Sequence, residues 1–116
     1  MDHAVEAFLT LFNDAVRTGD WRAFARGFTE DAVVEFVNVP VPALRGREAI
    51  EAGYREAPPD DTITAVGCRS AGDVHDLEFR WDSEGTGGGH LRLTMRDGLV
   101  AHNVISLSPG ALRSPV

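Results

Sequence analysis

At 116 residues with 43% hydrophobic side chains, the chain is expected to form one domain with its own core. Its formal net charge of −7 speaks against nucleic acid or an anionic membrane surface as partner, because both recruit basic patches. A single cysteine, Cys68, excludes an intrachain disulfide, and because all 11 Lys-plus-Arg residues are arginine, lysine Schiff-base chemistry is excluded as well.

The first residues carry Asp2 and Glu6 on a helical pattern, with neither a basic start nor an apolar run of the kind that directs secretion or membrane insertion, so the cytoplasm is the expected compartment. A helix is predicted from about Asp2 to Thr18, with Val5, Phe8, Leu9, Phe12 and Val16 on one stripe and Leu11 and Ala15 widening it. Gly19 suits the left-handed residue that ends this helix, and Asp20 suits the cap of the next. There Trp21, Phe24, Ala25 and Phe28 recur at helical spacing. After Thr29-Glu30-Asp31, the run Ala32 to Val37 turns to β-branched and aromatic residues and is predicted to be the first strand. Pro40 and Pro42 lack a donor, so Asn38 to Pro42 is a loop or a sheet edge. Gly46 precedes a third helix, Arg47 to about Glu56, with Ile50 and Tyr54 on one face.

The remainder reads as a meander. Thr62 to Arg69 is a strand and Ser70 to Asp73 a turn. Val74 to Ser83 alternates His75, Leu77, Phe79 and Trp81 against Asp76, Glu78, Arg80 and Asp82, the mark of one buried and one solvated face. Glu84 to Gly89 reads as a flexible connection to the strand His90 to Arg96, whose Leu91, Leu93 and Met95 continue the buried face. Asp97-Gly98 signals a tight hairpin. Leu99 to Leu107 is the last strand, and 108–116 a loose tail of the same single domain.

The string Gly19-Asp20-Trp21 through Phe28-Thr29-Glu30-Asp31-Ala32-Val33-Val34, followed by Gly46-Arg47-Glu48-Ala49-Ile50, resembles the SnoaL-like and ketosteroid-isomerase-like branch of the nuclear transport factor 2-like superfamily. The resemblance runs from Val5 to Leu107. It implies an α+β fold in which a curved antiparallel sheet forms a cone around three N-terminal helices, with a ligand pocket at the open end. It also implies where ketosteroid isomerase would place its aspartate base, its tyrosine and its second acid. Those positions fall on Phe36, Phe12 and, allowing for a loop-length difference, near Leu91. All three polar groups are missing, so isomerisation by that mechanism is rejected. The superfamily carries enzymes and binding modules on one scaffold, so the resemblance leaves the activity open.

The alternation turns Phe12, Val34, Phe36, Leu77, Phe79, Trp81, Leu91, Leu93, Ile105 and Leu107 inward, either as an apolar pocket lining or as a filled core. Three polar side chains join them. His75 is a candidate general acid or base, or a strand-end histidine satisfied by backbone or water. Tyr54 is a candidate oxyanion donor or a packed ring. Asn103 is a candidate ligand for a carbonyl or hydroxyl, or a satisfied buried amide. Glu35 is one residue out of phase with the base position and is expected on the opposite face, unless a bulge near Pro40 brings it or Asn38 round to the mouth. Cys68 reads most simply as a buried thiol.

His3, His75, His90 and His102 show no ligand spacing, and the glycine stretch lacks the features of a phosphate loop, so neither metal nor organic cofactor is expected. Val100, His102 and Val104 on the outer face suit a homodimer contact. Two functions follow: a cofactor-independent isomerase, dehydratase or cyclase acting by proton transfer on an apolar cyclic molecule, or a binding or assembly module without turnover.

Overall fold

The structure, a computed structural model, describes residues 2–83 and 87–107. The chain runs α1 (His3–Thr18), α2 (Trp21–Ala25), β1 (Phe28–Val37), β2 (Leu44–Arg45), α3 (Arg47–Glu56), β3 (Ile63–Ala71), β4 (Val74–Trp81), β5 (Gly87–Arg96) and β6 (Leu99–Leu107). The helices start and stop where their caps dictate. Asp2 accepts from the Ala4 N–H at 2.9 Å to open α1, Gly19 closes it at φ 80°, and Asp20 accepts from the Ala23 N–H at 3.1 Å to open α2.

Phe28 departs from the expected helix and begins β1 instead. The backbone carbonyls at this turn are taken by groups far along the chain. Gly27 O accepts from the Val100 N–H at 2.9 Å, and Phe28 O accepts from the Arg47 guanidinium at 2.6 and 3.1 Å. A helix continuing through Phe28 would forfeit both. The Phe28 ring still joins the aromatic cluster, 5.1 Å from Phe24.

The strands form one curved, unclosed sheet of order β2-β1-β6-β5-β4-β3, antiparallel except for the parallel pair β1–β6. Three registers slip by one residue, at Val66 in β3, Gly88 in β5 and Ala101 in β6. Each extra residue bends its strand and increases its twist. The slip at Ala101 also reverses an expectation: Val100 points into the core, 3% exposed, rather than outward with His102 and Val104. Gly87, Gly88 and Gly89, expected in a connection, belong to β5, and a Cβ on Gly89 would lie 2.0 Å from Ser106 O. The rest of the expected connection, 84–86, and the expected tail, 108–116, lie outside the described residues.

The helices cover one face of the sheet. Val5, Phe8, Phe12 and Ala15 of α1 are buried with Trp21 and Phe24 of α2, Ile50 and Tyr54 of α3, and the inward residues of the strands. Asn13 clamps α1 to the start of β3, donating to Ile63 O and accepting from Ile63 N–H, both at 2.9 Å. Cys68 corrects the sequence reading: its thiol is exposed. It shares the inner side with Leu77, its partner in register, but β3 is the sheet edge and is exposed from Val66 to Ala71.

Candidate functional site

Two cavities flank α1, and the sequence-predicted residues divide between them. The first, about 180 Å³, lies between α1, α3 and the inner face of the sheet. Phe8, Phe12, Tyr54, Ile63, Phe79, Leu91 and Asn103 make its buried wall, and the half-buried Phe36, Pro59, Trp81, Ile105 and Leu107 surround its opening. Phe36, Phe12 and Leu91, which occupy the positions where the resemblance would place polar catalytic groups, therefore meet around one space. Val34, Leu77 and Leu93, expected in the lining, point inward but are packed into the core and do not border the cavity. Phe8, Ile63 and Pro59 border it without having been singled out. Phe8 lies on the predicted helical stripe, but no periodicity tells which stripe residues face packed neighbours and which face a void.

Tyr54 and Asn103 are the polar side chains in this wall. Tyr54 stacks on Trp21, with ring centroids 5.1 Å apart and planes 20° from parallel, and lies 5.0 Å from Phe24. Burial pushes its phenol well above the ordinary value, so the hydroxyl stays protonated at neutral pH and can only donate or accept a hydrogen bond. Asn103 is 0% exposed, and neither Nδ2 nor Oδ1 has a hydrogen-bond partner among the described residues. Its neighbours explain this: in register it lies between Val34 of β1 and Leu93 of β5, both apolar and fully buried. No charged side chain lines the cavity among the described residues.

His75 is elsewhere. It is 4% exposed and borders a second cavity of about 480 Å³, with Asp2, Phe28, Gly72 and Val100. Phe8 borders both cavities and so stands between them. The Ser70 hydroxyl lies 2.7 Å from His75 Nδ1, and an Asp2 carboxylate oxygen lies 3.9 Å from the same nitrogen. The structure thus brings Tyr54 and Asn103 together and leaves His75 out, satisfied by a residue of its own hairpin.

The outer sheet face carries a larger groove of about 730 Å³, but it is broad and open to solvent. Its Arg92 is paired with Asp76 at 2.8 Å. Glu35 also lies on this face, paired with His102, so the irregularity of β1, which falls between Phe28 and Val33, does not bring it inward. Among the described residues no group of three or more His, Cys, Asp or Glu is placed to hold a metal ion. Among the described residues no helix is long and apolar enough to cross a membrane.

Solved structures match this fold over nearly the whole chain. A computationally designed 17-OHP binder is 12% identical with a TM-score of 0.71, covering 96% of this chain and 95% of its own. A hypothetical protein with a ketosteroid isomerase-like fold from Catenulispora acidiphila, in complex with trimethylamine, is 16% identical with a TM-score of 0.70, covering 90% and 88%. A candidate polyketide cyclase from Sinorhizobium meliloti is 21% identical with a TM-score of 0.62, covering 90% and 99%. At such identities the likeness extends to the fold alone. Among curated proteins none matches in sequence. A profile of the SnoaL-like domain does match, over residues 5–103, and the chain belongs to that family.

Proposed function

We propose that the Tyr54–Asn103 cavity is a binding site for a small, uncharged, mostly apolar molecule. The observation that carries this is the fully buried, unpartnered carboxamide of Asn103 in the wall of an otherwise apolar space. A buried polar group without a partner costs about 1–3 kcal/mol, and a ligand that supplies the partner recovers it. The size limits the guest. Pockets for drug-sized ligands run to roughly 300–1,000 Å³, whereas an apolar cavity of about 150 Å³ accepts benzene, so one ring or two fused rings fit here.

The test is binding of naphthalene, followed by NMR shifts of the Asn103 side-chain NH₂ and the Trp81 indole. Wild type and His75→Gln are expected to bind alike, and Leu91→Trp, which fills the cavity, is expected to abolish binding. Equal binding by Leu91→Trp, or no binding by wild type, would end the proposal.

A second reading is a cofactor-independent isomerase, dehydratase or cyclase. What favours it is that two neutral hydrogen-bonding side chains, Tyr54 and Asn103, border one space where they would polarise a carbonyl. Against it, no histidine or carboxylate lines this wall among the described residues, His75 being in the other cavity. Protein-dependent deuterium exchange at the α-carbon of a bicyclic ketone such as 2-tetralone, lost in Tyr54→Phe, is the result that would favour turnover.

A homodimer through the outer sheet face remains a proposal. With Val100 turned inward, Val33, Val37, Val74 and Val104 are among the apolar groups that this face offers. Sedimentation velocity at micromolar concentration decides it, a monomer being the contrary result.

A further inference from the structure

The Asn103 carboxamide is unmet on both its donor and its acceptor side, and this constrains the ligand more than the shape of the cavity does. The residues beside Asn103 in the sheet, Val34 and Leu93, have no side-chain polar atoms, and Ile105, two residues along β6, has none either. Tyr54 is the other polar side chain of the wall, and it is neutral. A charged guest would be desolvated with no opposite charge beside it, at a cost that apolar contact does not offset.

A guest with one acceptor, such as a ketone, would satisfy Nδ2 and leave Oδ1 orphaned. A guest with an acceptor and a donor side by side on one edge would satisfy both atoms through two parallel hydrogen bonds. From this we propose that the cavity selects a compact, neutral ring system bearing a cis-amide edge: a lactam, a cyclic imide or a 2-pyridone-type heterocycle. The inference rests on the cavity being a ligand site and adds the chemical class of the ligand. The same edge accounts for an asparagine here rather than a serine or threonine, because a carboxamide presents its donor and acceptor on two separate atoms in one plane, whereas a hydroxyl presents both on one oxygen.

Two probes of nearly identical shape separate the inference from the reading beneath it. 2-Quinolone and coumarin differ in one ring atom, N–H against O, so only the first offers the donor. Calorimetric titration of wild-type protein with 2-quinolone, coumarin and naphthalene is expected to show 2-quinolone bound about 10- to 100-fold more tightly than coumarin, the usual effect of one buried hydrogen bond gained or left unmade. Asn103→Leu is expected to erase that preference. If naphthalene and coumarin bind and 2-quinolone binds within about threefold of coumarin, the cis-amide assignment is overturned while the cavity reading stands. If none of the three binds, the cavity reading fails and takes this inference with it. The wild-type ratio needs no variant, so it holds whatever Asn103→Leu does to folding.

Discussion

Replacing Asn103 with leucine should make this protein more stable, which few substitutions at a fully buried site do. In the native protein both polar atoms of the side chain are out of reach of any described partner, while in the unfolded chain water satisfies them. Each orphaned group costs about 1–3 kcal/mol, and leucine removes both. Burying a leucine side chain contributes a further ~1.5–3 kcal/mol, reduced by strain where the new methyls crowd Val34 and Leu93. The adjoining cavity of about 180 Å³ gives those methyls room. A net gain of about 2 kcal/mol is a conservative expectation. With an m-value of roughly 1–3 kcal/mol/M for a small protein, the urea midpoint should rise by about 1 M at unchanged m. A midpoint that falls by an amount worth about 1 kcal/mol or more would refute the reasoning, because it would mean that the carboxamide is fully hydrogen-bonded without a ligand.

Other consequences follow from the same packing. Tyr54 is the sole tyrosine, and its phenol is held above its ordinary value of 10.0 by burial. The folded state therefore holds this proton more tightly than the unfolded one, contributing stability that is present below pH ~10 and lost as pH rises beyond it. Absorbance at ~295 nm should show tyrosinate only as the fold is lost, and a native-state midpoint near pH ~10 would contradict the burial of that hydroxyl. Cys68, exposed on the β3 edge, should react with a thiol reagent in the native protein at a rate within about tenfold of that in denaturant, and protection of about 100-fold or more would contradict its placement. Gly89→Ala drives a Cβ to 2.0 Å from Ser106 O and should lower stability by about 3 kcal/mol in chemical denaturation. A loss below about 1 kcal/mol would mean that β5 and β6 do not approach so closely.

The fold was legible because its signals are local. Gly19, Asp20, Gly46 and Asp97-Gly98 each fix a turn or cap by their own backbone preferences, and the alternation His75, Leu77, Phe79, Trp81 displays the buried face of β4 directly. Phe28, Val100 and Gly88 depart from the expectation for two reasons. Phe28 was fixed as the start of β1 by carbonyl partners, Val100 and Arg47, that lie far along the chain. Val100 was turned inward by a bulge at Ala101, and Gly88 is the extra residue of another bulge, neither of which leaves a trace in the sequence period. The site was legible only in part. Tyr54 and Asn103 are inward polar groups on α3 and β6 and can be found by phase alone, as can His75 on β4. Which cavity each one borders depends on how α1 lies across the sheet. That geometry separates His75 from the other two, with Phe8 between. Cys68 shows a further limit: its phase is inward, but phase does not reveal that the edge strand is exposed from Val66 onward.

Whether the space bordered by Tyr54, Leu91 and Asn103 receives a ligand can be seen in a crystal structure of the protein soaked with naphthalene. Density for two fused rings is expected between Phe12, Phe79, Leu91 and Ile105, with Asn103 at their edge. Side chains such as Phe12 or Trp81 filling that space, or rings found only in the cavity beside His75, would rule the site out.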